Sequence, residues 1–207
     1  MKRVAVLGKG SLAFYACEVV TKIPDWSLQT VVANQFEPNW DLKLSDVVAS
    51  RWPNVTLIRS GDWRELVDGR YDLVMSVLYD KIIGRSLIEQ CPRIVNCHLG
   101  RLPQYRGMRP ANWALKNCER LHGVTIHEID EGIDSGPILA QVIFSIWPEI
   151  DEVRDVWRRS REYARILIRD TLPHIDRIEA VRQDENIATT YYSAEDYLLG
   201  DRLGWVR

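Results

Sequence analysis

Arg3-Val4-Ala5-Val6-Leu7-Gly8-Lys9-Gly10-Ser11-Leu12-Ala13 is the stretch that decides the fold. Val4 to Leu7 form an unbroken apolar run, as a strand buried on both faces requires. The two glycines supply a turn, and Leu12 to Lys22 then gathers its apolar residues on one helical face. Leu28 to Ala33 predicts a second strand. A strand, a turn, a helix and a strand in that order return the chain in the same direction, so the two strands lie parallel. The expected fold class is α/β, a Rossmann-like, mostly parallel twisted sheet with helices on both faces.

Further along, Asp41 to Trp52 and Asp62 to Asp68 predict helices, Val55 to Ile58 a short strand and Tyr71 to Val77 a buried one. Cys91-Pro92 turns the chain into Arg93-Ile94-Val95, a short strand that Asn96 closes. The loop 99–110 is rich in Pro and Gly. Ala111 to Asn117 predicts a helix, Gly123 to Ile129 and Leu139 to Ile146 predict strands, and Glu152 to Arg177 is the longest helical stretch. Pro173 should end or kink that helix.

The 207 residues suffice for one sizeable core. A net charge of -2 leaves no electrostatic footprint for nucleic acid. The basic run from Arg154 to Arg165 alternates with Glu and apolar residues at helical spacing, as on a solvated helix face. Met1-Lys2-Arg3 leads at once into a short strand and shows no signal-peptide pattern, and no segment is long enough to span a bilayer. Cys17, Cys91, Cys97 and Cys118 form no CxxC pair, so reduced thiols and a cytoplasmic location are expected. No cluster of metal-ligand residues stands out, and no metal is expected.

Gly8-Lys9-Gly10-Ser11-Leu12-Ala13 also satisfies the G-x-G-x-x-G/A pattern of dinucleotide-binding turns. A nicotinamide-dependent oxidoreductase would add an acid at the end of the second strand to hold the ribose hydroxyls. Here Ala33-Asn34-Gln35 occupies that place, and no acid comes before Glu37. A phosphate bound at Gly10 and Ser11 is the remaining reading of this turn, because its backbone N–H groups point outward. The alternative is that the glycines only permit the turn.

Asn96-Cys97-His98-Leu99-Gly100-Arg101-Leu102-Pro103-Gln104-Tyr105-Arg106-Gly107 is followed by Gly123-Val124-Thr125-Ile126-His127 and Asp130-Glu131-Gly132-Ile133-Asp134-Ser135-Gly136-Pro137. Each residue alone has a plain reading, His98 as a loop histidine and Asp134 as an Asx-turn residue. Together they offer what acyl transfer to an amine needs: a donor for the developing oxyanion, a proton acceptor and a group to orient it. The period-2 geometry of a strand puts Asn96 and His98 on one face, at the carboxyl end where open α/β sheets bind ligands.

These segments, with Asn112-Trp113-Ala114, resemble the folate-dependent formyltransferase family, closely over residues 72 to 141 and loosely outside them. The resemblance implies transfer of a formyl group from 10-formyltetrahydrofolate, a co-substrate, to an amine. It makes Asn96, His98 and Asp134 the catalytic residues. It places the folate against Leu78, Tyr79, Lys81, Ile82, Ile83, Asp130 and Ile133. It gives Gly10, Ser11, Arg101, Tyr105, Arg106 and Gly107 to the acceptor, although Tyr105 reads equally well as a prop for its loop. Asp80 stands where family members often have Gly.

Within that family, Gly100-Arg101 and Asn112-Trp113 are similar to the sugar N-formyltransferases. Leu12 departs from the glycinamide ribonucleotide enzymes, which carry Asn there, and no residues remain for the C-terminal β-barrel of the transfer RNA enzymes. The acceptor implied is the amine of a nucleotide-linked amino sugar, with another small amine as the alternative. A formyltetrahydrofolate hydrolase, a non-catalytic folate-binding module and an NAD-dependent oxidoreductase are the other readings. Trp26, Trp40, Trp52 and Trp63 are candidates to stack on the nucleotide base, or simple packing residues. Residues 1–180 are expected to form the catalytic domain. Residues 181–207, with the aromatic stretch Tyr191 to Trp205, form an extension that packs on it or on the partner of a homodimer.

Overall fold

The computed structural model describes residues 1–66 and 69–200. Contacts group the chain into two compact units, Met1–Cys97 with Ile168–Asp176, and His98–Leu167 with Arg177–Arg207. In chain order the first unit contains β1 (Lys2–Gly8), α1 (Gly10–Lys22), β2 (Trp26–Ala33), α2 (Leu44–Arg51), β3 (Thr56–Ile58), β4 (Leu73–Val77) and α3 (Arg85–Gln90). β5 (Ile94–His98) follows, its last residue opening the second unit. The second unit continues with β6 (Arg106–Gly107), α4 (Pro110–Lys116), β7 (Leu121–Glu128), β8 (Ile138–Ser145), most of α5 (Val153–Thr171) and β9 (Thr190–Tyr191).

The strand order of the main sheet is β3-β2-β1-β4-β5-β7-β8. β1 pairs in parallel with β2 and β4, β2 with β3, and β4 with β5, while β7 and β8 form an antiparallel pair. This is the Rossmann-like, mostly parallel α/β arrangement that the opening residues predict. Val4, Ala5, Val6 and Leu7 are fully buried, as a central strand covered on both faces must be. Gly8 ends β1 at φ +151°, and a Cβ there would collide with the Val77 carbonyl oxygen, so only glycine lets β1 and β4 finish side by side. Trp52 packs on Phe14 with ring centroids 5.4 Å apart, Trp26 lies under the Lys2 ammonium, and Trp63 lies where a Cβ on Gly84 would touch it. Trp40 is exposed.

In the second unit β6 and β9 pair in parallel as a separate two-stranded sheet, tying the loop after β5 to residues near the C-terminus. Trp113 of α4 stacks on Tyr191 at 4.5 Å, and Tyr191 stacks on Tyr105 at 5.6 Å. The part of the C-terminal extension that is described is thereby held by aromatic contact and by backbone hydrogen bonds from Thr189 N–H to the Pro103 carbonyl and from Met108 N–H to the Tyr191 carbonyl.

Several elements differ from their sequence-based bounds. α1 starts at Gly10 rather than Leu12, the left-handed turn at that glycine, φ +72°, leading directly into the helix. The segment at Asp62 is a single 3-10 turn, Trp63–Leu66, and the predicted end at Asp68 lies outside the described residues. The 152–177 helix stops at Thr171 and tightens into a 3-10 turn, Leu172–His174. Pro173 lacks an N–H, and its ring disfavours the α conformation at the residue before it. α3 was not expected, its six residues being too few to show a period. β5 runs two residues beyond Asn96, so His98 is a strand residue. Trp205 lies outside the described residues.

Candidate active site

β5 carries both Asn96 and His98, and the pleat sends alternate side chains to one face. Asn96 pairs with Ser76 in the parallel register and is half-buried, while His98 is buried. The chain then turns back so that the Tyr105 carbonyl lies 2.7 Å from His98 Nε2. A carbonyl only accepts, so Nε2 carries the hydrogen and Nδ1 is the nitrogen free to take up a proton.

The returning loop is fastened from β7 and β8. Thr125 Oγ1 donates to the Gly100 carbonyl at 2.8 Å, and Gln141 Nε2 donates to the Leu102 carbonyl at 2.8 Å and to Thr125 Oγ1 at 2.9 Å. His122 Nε2 donates to the Leu99 carbonyl at 3.1 Å. His122 is fully buried, and that burial holds its pKa down at about 4 against the opposing pull of the Leu99 carbonyl.

Asp134 sits at φ +49° in the turn between β7 and β8, a left-handed conformation that Asp tolerates better than most side chains. Its Oδ2 lies 3.4 Å from His98 Nδ1 and accepts from the Gly107 N–H at 2.8 Å. Its Oδ1 lies 3.3 Å from His127 Nε2, whose other ring nitrogen donates to the Glu128 carbonyl at 2.7 Å. Burial alone would raise the carboxyl's pKa. The two histidines and the Gly107 N–H outweigh it and hold Asp134 well below the usual carboxylate range, so it is an anion beside the imidazole.

The other sequence-predicted residues fall in different surroundings. Tyr105 is buried, donating its hydroxyl to Glu119 at 2.9 Å and accepting from Asn117, so it serves as the loop's prop. The Arg106 guanidinium is also buried and bonds Gln183 at 2.9 Å and both oxygens of Glu185 at 3.0 and 2.7 Å. Gly107 spends its N–H on Asp134, and Arg101 is half-buried with its backbone against Gly123. At the start of α1, Ser11 N–H donates to Asp41 Oδ2 at 3.3 Å, so a carboxylate stands beside the helix end where a phosphate was expected.

Among the predicted folate contacts, Leu78 has φ +56° and its carbonyl accepts from Asn34 Nδ2 at 3.2 Å. The Tyr79 hydroxyl donates to the Gly61 carbonyl at 2.6 Å and accepts from the Trp63 N–H at 3.1 Å, and Lys81 Nζ donates to the Ser60 carbonyl. Ile82 is 76% exposed and Ile83 is buried. Asp130 Oδ1 accepts from Gly132 N–H and Ser135 Oγ, shaping the turn that leaves Ile133 exposed. Both His127 and Gln183 lie in segments similar to the family, but no role for either was legible in the sequence, and only the fold brings them to Asp134.

The chain thus combines a Rossmann-like α/β fold with a fifth strand that ends in Asn-x-His, the histidine lying beside a half-buried aspartate. Residues 19–172 match the formyl transferase family model, and the chain belongs to that family. It is 35% identical over 127 residues to methionyl-tRNA formyltransferase of Deinococcus radiodurans, covering 60% of this chain and 39% of that protein. The chain thus spans about two fifths of the length of such curated relatives. Its fold is similar to that of the N-formyltransferase of Helicobacter canadensis solved with folinic acid and dTDP-3-aminofucose, with a TM-score of 0.79, 22% identity, and 94% of this chain and 72% of that one covered. It is also similar to phosphoribosylglycinamide formyltransferase of Bacillus halodurans, with a TM-score of 0.69, 24% identity, and 84% and 95% covered. No helix of the described residues is long and apolar enough to cross a membrane, and no group of metal-ligating side chains occurs among them.

Proposed function

We propose that this chain transfers the formyl group of 10-formyltetrahydrofolate to the primary amine of a nucleotide-linked amino sugar. The observation that carries the reaction is the His98–Asp134 pair. Nε2 of His98 is committed to the Tyr105 carbonyl, so Nδ1, beside an anionic carboxylate, is the site of proton uptake. The acceptor amine attacks the formyl carbon, and the carbonyl π electrons move to oxygen. The Asn96 amide N–H donates to that oxyanion, where a preformed donor acts most strongly. His98 Nδ1 takes the amine proton and Asp134 balances the charge. Collapse of the tetrahedral species breaks the bond to the folate nitrogen, which leaves with the proton that His98 Nδ1 returns to it.

Leu78, Tyr79, Lys81, Ile82, Ile83, Asp130 and Ile133 remain the residues proposed to meet the folate. The exposed apolar side chains of Ile82 and Ile133 suit the flat ring of such a co-substrate. For the acceptor, Gly100-Arg101 and Asn112-Trp113 carry the sugar reading, and the likeness to the Helicobacter canadensis structure agrees with it. Arg101 is the cation of its loop proposed to meet the acceptor, since Arg106 is bound to Glu185. Glycinamide ribonucleotide is the second reading. The Asp41 carboxylate beside the Ser11 N–H argues against a phosphate of either acceptor at that helix end, since it would meet a like charge there. We place the enzyme in the cytoplasm and treat a homodimer as the assembly to test.

Incubation with 10-formyltetrahydrofolate and a panel of nucleotide-linked amino sugars should release tetrahydrofolate only when an amine is present. Formate release without amine would instead indicate a hydrolase, and binding without turnover a folate-binding module.

A further inference from the structure

Gln183 joins the two backbone segments that hold the Asp134 carboxylate. Its Nε2 donates to the Asp134 carbonyl at 2.8 Å and to the Gly136 carbonyl at 2.7 Å. Its Oε1 accepts from Arg106 Nε at 2.9 Å. The next residue after Arg106 is Gly107, whose N–H donates to Asp134 Oδ2. The bonds close a ring: Gln183 to Arg106, along the chain to Gly107, across to the Asp134 carboxylate, and from the Asp134 carbonyl back to Gln183. Arg106 in turn is fixed by its two bonds to Glu185.

Asp134 needs such support. A non-glycine residue at φ +49° keeps that backbone only when its surroundings over-determine it. Tying down the carbonyl of a strained residue fixes the direction of its side chain, and here that direction decides whether Oδ2 faces His98 Nδ1. The donor must be an amide. A carboxylate at 183 would turn acceptor oxygens toward two carbonyls, and an aliphatic side chain would leave both carbonyls and Arg106 Nε without this partner.

We infer that Gln183 is a positioning residue for the formyl-transfer site, acting through Asp134, so that the segment near the C-terminus completes the catalytic pair. The inference rests on the formyl-transfer reading above. A group held about 1 Å out of place can cost roughly 100-fold in rate.

The test compares Gln183→Ala and Gln183→Glu with wild type, each alone and combined with Asp134→Ala, by amine-dependent tetrahydrofolate release. The expected result is a kcat lowered about 10- to 100-fold with KM for both substrates within about twofold, and no further loss in the Asp134→Ala background. Activity within twofold of wild type, or the same fold-loss with and without Asp134, would overturn it. If the alanine variant does not fold, Gln183→Glu, which keeps the size and the bond to Arg106, decides by the same readout. If wild type releases no tetrahydrofolate with any amine, the parent reading fails. Crystal structures of the variants then judge the positioning itself: an Asp134 carboxylate displaced from His98 supports it, and one left in place refutes it.

Discussion

His98 presents Nδ1 to Asp134 Oδ2 at 3.4 Å, because its other nitrogen is held by the Tyr105 carbonyl at 2.7 Å. A proton placed on Nδ1 therefore lies beside a carboxylate that is already ionised. The charge that an acceptor amine would leave on the imidazole is met by a partner fixed in advance.

Asp134→Asn should abolish most of this advantage while keeping the side chain's size. The amide oxygen, accepting from the Gly107 N–H, takes the Oδ2 place facing His98 Nδ1, which turns the NH2 toward His127 and leaves no charge to balance a proton on His98. We expect kcat to fall roughly 10²- to 10⁴-fold, with KM little changed, in the tetrahydrofolate-release assay. His98→Ala should fall in the same range, and the double variant should lose little more than either alone.

Gly100→Ala should disturb the same imidazole from its other side. An added Cβ would collide with the His98 imidazole and lie 2.8 Å from the Tyr105 carbonyl, the two ends of the bond that fixes Nε2. A cost of about 1–3 kcal/mol in stability and a kcat reduction larger than the stability loss explains are expected, from urea melts and turnover measured together.

Acid should weaken the fold in two stages. His122 titrates near 4 when folded and near its ordinary 6.5 when unfolded, so the unfolded chain binds the extra proton between those values. Its contribution is complete above pH 6.5 and is lost as pH falls toward 4, about 3 kcal/mol in all. Asp134, held below the usual carboxylate range, contributes fully above its unfolded value near 3.8 and loses that contribution only in stronger acid. Urea midpoints measured from pH 7.5 to 4 should fall, and His122→Gln, which can still donate to the Leu99 carbonyl, should flatten the curve.

Tyr191→Ala should loosen the segment that carries Gln183. The ring stacks between Trp113 and Tyr105, and its hydroxyl accepts from Asn117. Loss of about 2–4 kcal/mol is expected, read as a lowered denaturation midpoint, together with faster hydrogen exchange at Met108 and Arg106, whose N–H groups donate to the Tyr191 and Thr189 carbonyls.

The parallel fold was legible because it is written locally. Val4 to Leu7, Gly8 and the α1 face each follow from the period and turn chemistry of neighbouring residues. The short elements were not: α3 spans six residues and β6 and β9 two each, too few to show a pattern. The same division runs through the site. Asn96 and His98 share a face because two residues separate them on a strand. Arg106, expected to meet the acceptor, instead meets Gln183 across 77 residues of sequence, and no local pattern signals that pairing.

The sequence by itself determined the strand-turn-helix opening, the parallel sheet and the family, and it singled out Asn96, His98 and Asp134 as the candidate site, because spacing and residue type are local quantities. Only the tertiary structure decided which histidine nitrogen is free, that His127 shares the Asp134 carboxylate, and that Gln183 holds the Asp134 backbone. Those relations depend on directions of hydrogen-bond donors and acceptors brought together from distant parts of the chain, and direction in space is fixed by packing rather than by order along the sequence.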